Sequence, residues 1–174
     1  MILGIDVSTT TTAFTILDEE GKIVSCEAVR LEKVKDLFVK AANIKKYVEE
    51  LDKKYNIKAV YIEEPLMSFS AGMSSAKTIS TLMRFNGIVS WICYDTIGLI
   101  PQFISAATAR KSYGVKIEKG RKAKEVVFEC VLDKEPDFKV ELTAHGNPVP
   151  GSMDRSDSFI IAKAGYLQWR SLKS

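Results

Sequence analysis

Residues 1–14 read MILGIDVSTTTTAF, and the reading of this stretch decides the fold. Ile2, Leu3 and Ile5 make a short apolar run of the kind that enters a buried strand. Asp6 ends the run, and a hydroxyl series from Ser8 to Thr12 follows. A carboxylate at a buried strand is costly unless it is paired, hydrogen-bonded or bound to a cation. The first basic residue in the chain is Lys22, so a charged partner for Asp6 must come from far along the sequence. Two readings stand side by side. Asp6 closes its own turn through the backbone, as aspartates often do, or it meets other acidic groups around a metal ion.

Working outward, residues 13–17 read as a second strand and residues 22–31 as a third, with Asp18-Glu19-Glu20-Gly21 as the hairpin loop between them. Three strands joined by tight turns make an antiparallel meander. Residues 33–55 carry Val34, Leu37, Phe38, Ala41, Ile44, Val48, Leu51 and Tyr55 at helical spacing, with lysines and glutamates as the solvated face. Residues 57–62 are again strand-like and end in Glu63-Glu64-Pro65. Strand, helix and strand in this order favour a right-handed crossover and a parallel pair. The second acidic cluster then lies at the carboxyl end of a strand beside the first, where Pro65 stops the ladder.

Residues 66–73 read as a loop. Ser74 and Ser75 can cap a helix to about residue 95, a strand region is expected over 96–103, and a short helix over 105–113 is closed by Gly114. A basic stretch with Lys116, Lys119, Arg121, Lys122 and Lys124 leads into a helix over 123–132. Residues 133–150 are loop-like and hold three prolines. A last helix spans about 152–172, with Asp154 and Asp157 on one face of its first turn. Acidic residues there are also favoured by the helix dipole, by roughly 0.3–1 kcal/mol each, so this pair alone defines no site.

The bulk numbers set limits. A chain of 174 residues fits one domain with a core of its own. With 46% apolar and 27% charged residues it has the composition of a soluble globular protein. No apolar run is long enough to span a membrane, and the first residues do not read as a basic segment followed by an apolar signal region. Cys26, Cys93 and Cys130 form no CxxC pair and read as core thiols of a cytoplasmic protein in a bacterial or phage-infected cell. A net charge of +3 allows a nucleic-acid partner if the positive charge is clustered.

The element order lets Asp6, the glutamates after the parallel strand and the final Asp pair meet at one end of a sheet. Two divalent ions about 3.5–4 Å apart need several carboxylates in one small volume, and such a pair promotes phosphodiester hydrolysis. Hard oxygen ligands suit Mg2+, with Mn2+ as a substitute. With GID near the start, YIEEP after the crossover and DRSDSFIIA in the last helix, the sequence resembles RuvC-type Holliday-junction resolvases.

The resemblance covers nearly the whole chain in element order. It implies an α/β, ribonuclease-H-like fold: a mixed five-stranded sheet, three antiparallel strands then parallel ones, flanked by helices. It also implies a homodimer acting on four-way DNA junctions, with two divalent metal ions per active site. By position, Asp6, Glu63, Asp154 and Asp157 match the acidic tetrad, with Glu64 competing with Glu63. In ISAATARKSYG, Arg110 or its neighbour Lys111 matches a cation near the cleaved phosphate, and in EKGRKAKEVV the best match is Lys122.

Two departures stand out. Val7-Ser8 replaces the Pro-Gly common after the first Asp, and the aromatic expected soon after the glutamate is replaced by Leu66, with Met67 and Phe69 later. Any of these three can serve as the apolar wedge that unstacks bases, Phe69 being the aromatic one. Such departures resemble phage or viral relatives.

Other classes compete. GIDVSTTTTAF is also similar to the phosphate-binding start of sugar kinases and actin-like proteins, but no later glycine-rich adenosine motif follows. A catalytically dead junction-binding protein would not be expected to keep four acidic positions against DNA phosphates. A nuclease of the same fold acting on flaps or forks stays open. His145, the only histidine, reads as a surface residue of the loop HGNPVPG. In the helix ending near 95, Ile79, Leu82, Met83, Val89 and Cys93 form one stripe, Phe85, Ile88 and Ile92 extend it, and Trp91 points away. A helix apolar nearly all round needs a second cover, so this helix is the expected dimer interface, anchored by Phe85 and Trp91.

Overall fold

The computed structural model describes residues 1–65 and 75–173. Its elements are β1 (Ile2–Asp6), β2 (Thr11–Leu17), β3 (Ile23–Arg30), α1 (Leu37–Lys54), β4 (Ala59–Glu63), α2 (Ala76–Ile97), β5 (Gln102–Ile104), α3 (Ala106–Tyr113), α4 (Ala123–Lys134) and α5 (Ser152–Ser171). Among the described residues the strands form one sheet in the order β3-β2-β1-β4-β5. β1, β2 and β3 pair antiparallel, whereas β4 and β5 run parallel to β1. The mixed five-stranded sheet expected from the sequence is therefore present.

Strand alternation splits the core in two. Leu3, Ile5, Val60 and Ile62 face α1 and α2, packing on Ile44, Val48, Phe85 and Val89. Ile2, Leu17 and Tyr61 face the other way, toward Val127, Val131, Phe159 and Ile161 of α4 and α5. Asp6 and Glu63 fall by the same alternation on the second side.

Several boundaries differ from expectation. Thr11 and Thr12 belong to β2, where their backbones pair with Arg30 and Val29 of β3; Thr12 is buried, and its hydroxyl donates to the Ser8 carbonyl at 3.0 Å. α1 begins only at Leu37 because the Asp36 carboxylate takes the N–H groups of Phe38 and Val39. Lys40 is not on a solvated face: it is buried, and its ammonium donates to the Thr9 carbonyl, tying α1 to the turn after Asp6. The strand region expected over 96–103 shrinks to Gln102–Ile104, because α2 continues to Ile97 and is closed by Gly98 at φ +75°. The loop over 66–73, Ser74 as a cap, and Leu66, Met67 and Phe69 lie outside the described residues.

The inward stripe of α2 is Phe85, Val89, Ile92 and Cys93, while Met83 is exposed. Phe85 has no exposed surface and packs in the core, so it cannot anchor an interface; Trp91, at 62% exposure, can. No described helix is long and apolar enough to cross a membrane.

Candidate active site

The acidic residues are gathered by close helix–sheet contact. A Cβ on Gly4 would lie 2.5 Å from Ala162, and one on Gly165 would lie 2.2 Å from the Tyr61 ring. Glycine at both positions lets α5 lie directly on β1 and β4. From this contact Asp157 is five residues back along α5, about 7.5 Å. Asp6 is two residues forward along β1, about 6.6 Å. The two carboxylates therefore arrive at the same end of the sheet. A buried 2.8 Å hydroxyl bond between Ser158 and Thr15 fixes the rotation of α5 about its axis.

β1 and β4 are in register from Ile2–Ala59 to Ile5–Ile62, which leaves Asp6 and Glu63 next to each other past the last pair. Hydrogen bonding between their side chains contributes to the titration of both groups. Asp154 and Asp157 are brought in by α5 and meet a cation from α4: Lys124 Nζ is 2.6 Å from Asp154 and 3.6 Å from Asp157. Among the described residues no three His, Cys, Asp or Glu side chains form a ready-made metal shell. The carboxylates stand as two pairs, with Lys124 drawn against the second.

The electrostatics follow from this crowding. Burial raises the Asp6 carboxyl well above its ordinary range, and the neighbouring Glu63 raises it further. Glu63 is also raised, by burial first and then by Asp157, while its bond to Asp6 and the charges of Arg110 and Lys124 oppose the shift. Burial and the Asp6 charge push Asp157 up to about 7. Burial works against the Lys124 ammonium, but the Asp154 hydrogen bond and the charges of Asp6, Asp154 and Asp157 outweigh it and hold the proton more tightly.

Glu63 and Lys124 form a wall shared by two cavities. One, of about 190 Å³, is lined by Glu63, Arg110, Lys124 and Asp157 over Ala106, Ala123 and Ile160. The other, of about 180 Å³, is lined by Asp6, Ser8, Glu63, Glu64, Leu82, Asn86 and Lys124. Glu63 reaches both, whereas Glu64 is exposed and its N–H donates to the Ile104 carbonyl of β5 at 2.9 Å. Glu63 is thus the better placed of the two.

The basic residues separate. Arg110 on α3 lines the first cavity and a further groove that it shares with Lys111 and Lys116. Lys111 itself is exposed and stays outside the acidic cavities. Lys122 precedes α4, is 81% exposed and pairs with Glu125 at 3.2 Å, so Lys124 stands at the acidic residues instead. Spacing carried that signal: 124, 127, 128 and 131 share one helical face, and Val127, Phe128 and Val131 are buried. His145 is exposed in its loop. The Ser8 and Thr10 hydroxyls bond to each other at 3.0 Å and thus serve the turn.

No protein-family model and no curated protein matches the sequence. Solved structures do. Thermus thermophilus RuvC in complex with Holliday-junction substrate is 15% identical, with 98% of this chain and 94% of that chain covered and a TM-score of 0.69. Thermus thermophilus RuvC in another structure is 16% identical over 98% and 96%, with a TM-score of 0.63. The yeast mitochondrial Holliday-junction resolvase Ydc2 is 16% identical over 98% and 78%, with a TM-score of 0.58. With its five-stranded mixed sheet and its acidic end, the chain has the ribonuclease-H-like fold of the RuvC-type resolvases.

Proposed function

We propose that this protein is a metal-dependent DNA endonuclease that resolves four-way junctions by paired phosphodiester hydrolysis. The observation that carries the reading is the meeting of Asp6, Glu63, Asp154 and Asp157 at one end of a RuvC-type sheet. The donor set fits divalent metal. It is all hard oxygen, held on rigid elements; burial first, and the neighbouring carboxylates after it, raise Asp6, Glu63 and Asp157, and a bound dication would offset both. Asp6, Glu63, Asp154 and Asp157 are the residues that would hold two Mg2+ or Mn2+ ions. Bound there, the ions would supply an activated water and stabilise the departing oxygen.

The chain's own residues have distinct parts in this reading. β1 and β4 fix two carboxylates side by side and α5 supplies the other two. Lys124 and Arg110 line the same cavity as Glu63 and Asp157 and place positive charge where a phosphate would enter. Branched DNA is the proposed partner. A homodimer would present two identical sites to the two strands of a junction. The exposed Trp91 and Met83, one helical face of α2, are its proposed contact.

The test is cleavage of a four-way junction, a flap, a fork and a plain duplex side by side, each with Mg2+ and with EDTA. The expected result is Mg2+-dependent, symmetric cutting of the junction in preference to the duplex. Preferential cutting of flaps or forks would move the substrate within the same nuclease reading. No cleavage of any DNA, together with Mg-ATP binding, would overturn it.

A further inference from the structure

Asn86 is an amide buried on the inward face of α2. It is 4% exposed, between Phe85 and Val89, which are fully buried. An amide in such a place costs free energy unless it finds a partner. Its Nδ2 donates to the backbone carbonyl of Glu63 at 3.1 Å. Because the partner is a carbonyl, the nitrogen rather than the oxygen must face it.

That carbonyl lies where the sheet comes apart. Pairing of β1 with β4 ends at Ile5–Ile62, whereas β5 still pairs with Glu63 through Ile104. Glu64 gives its N–H to Ile104, at 2.9 Å. In a trans peptide the carbonyl points opposite to the following N–H, so the Glu63 carbonyl points away from β5, into the gap past the last β1 pair. Asn86 supplies the donor that a longer β1 would have supplied. The Glu63–Glu64 peptide is then held from both sides, by β5 and by α2. Asn86 also lines the cavity that contains Asp6, Ser8 and Glu63.

We propose that Asn86 is a positioning residue for the acidic centre: its amide fixes the Glu63–Glu64 peptide at the open end of the sheet and so aims the Glu63 carboxylate at Asp6. Its effect on cleavage rests on the nuclease reading above; its effect on the strand end does not.

The test compares Asn86→Leu, which keeps bulk and burial but removes the donor, with Asn86→Gln, which keeps an amide. Three quantities are read: amide hydrogen exchange at Glu64 in metal-free protein, the Mg2+ concentration that half-saturates thermal stabilisation, and single-turnover junction cleavage beside junction Kd. In Asn86→Leu, exchange at Glu64 rises at least about tenfold while Tm stays near wild type. The Mg2+ midpoint rises and cleavage slows by about 10- to 100-fold at unchanged Kd, and Asn86→Gln recovers part of each. If Asn86→Leu does not fold, Asn86→Ala against Asn86→Gln carries the same comparison. Wild-type exchange at Glu64 and a wild-type Mg2+ midpoint in a folded donorless variant would overturn the proposal, as would a fall in Tm that alone accounts for the lost activity. A wild-type protein that neither cuts DNA nor responds to Mg2+ would instead sink the nuclease reading, and the exchange rates alone would then decide the role of Asn86.

Discussion

Asp157 keeps only 19% of its side chain exposed, and its pKa of about 7 has a consequence for stability. A carboxyl whose folded pKa is raised contributes stability below its unfolded value, and that stability is lost as pH rises through the folded value. Asp6 and Glu63 are raised in the same direction. Metal-free protein is therefore expected to lose stability between about pH 4 and 7, by on the order of a few kcal/mol. Thermal melts in EDTA at pH 5 and pH 8 check this. The higher Tm belongs at pH 5, the gap should shrink in Asp157→Asn, and Mg2+ should close it at pH 8. A Tm that rises toward pH 8 in EDTA, equally in both proteins, would contradict it. Lys124 and Lys122 give a second contrast at this scale. Arg110→Ala and Lys124→Ala should each weaken junction binding and flatten its salt dependence, each phosphate contact contributing roughly 0.9 to the log–log slope. Lys122→Ala should leave the slope unchanged, because that side chain is solvated and paired with Glu125. Lys122 and Lys124 were both visible in the basic stretch, and the start of the helix was read correctly at residue 123; the face that 124 shares with 127, 128 and 131 marked Lys124 as the one that turns inward, whereas position in the resemblance had favoured Lys122.

α5 is the element on which the site depends, and two glycines set its distance from the sheet. Gly165 lies inside the helix, where alanine would ordinarily be favoured by about 1 kcal/mol. Here a Cβ would lie 2.2 Å from the Tyr61 ring, so Gly165→Ala is expected to destabilise, by about 1–3 kcal/mol. Gly4→Ala should cost at least as much, since the nearest atoms to its Cβ at 2.5–2.6 Å include the Ala162 backbone, which cannot swing aside. Both should slow cleavage in the fraction that stays folded, because α5 carries Asp154 and Asp157. Urea titration and activity at constant folded fraction would measure the two effects; a stabilised Gly165→Ala would show that the contact is loose. The strands and the long helices were legible from alternation and 3.6-residue spacing. The glycines were not, because their role is the absence of a side chain opposite a residue more than a hundred positions away. Thr11 and Thr12 were missed as strand for a related reason: their hydroxyls suggest a turn, but pairing with Arg30 and Val29 of β3 claims their backbones.

At the scale of the whole molecule, the strand–helix–strand order led directly to the parallel β1–β4 pair and thus to the meeting of Asp6 with Glu63. Less could be read from α2, which is apolar on two faces; periodicity identifies the faces but not which one meets the sheet, and Phe85 turned out to face inward. The outward face, with Trp91 62% exposed, is where a second copy is expected. Sedimentation at micromolar concentration should give a dimer for the wild type and a monomer for Trp91→Glu, with the substitution changing paired cutting into single nicks. A dimer that tolerates Trp91→Glu would place the interface elsewhere. The central claim is that these four carboxylates, gathered by this fold, hold the metal that cuts DNA. It is tested most directly by Asp6→Asn on a four-way junction in saturating Mg2+, with binding and cleavage measured on the same sample. The account predicts junction binding close to wild type and no detectable cleavage; cleavage by Asp6→Asn at near the wild-type rate would contradict it.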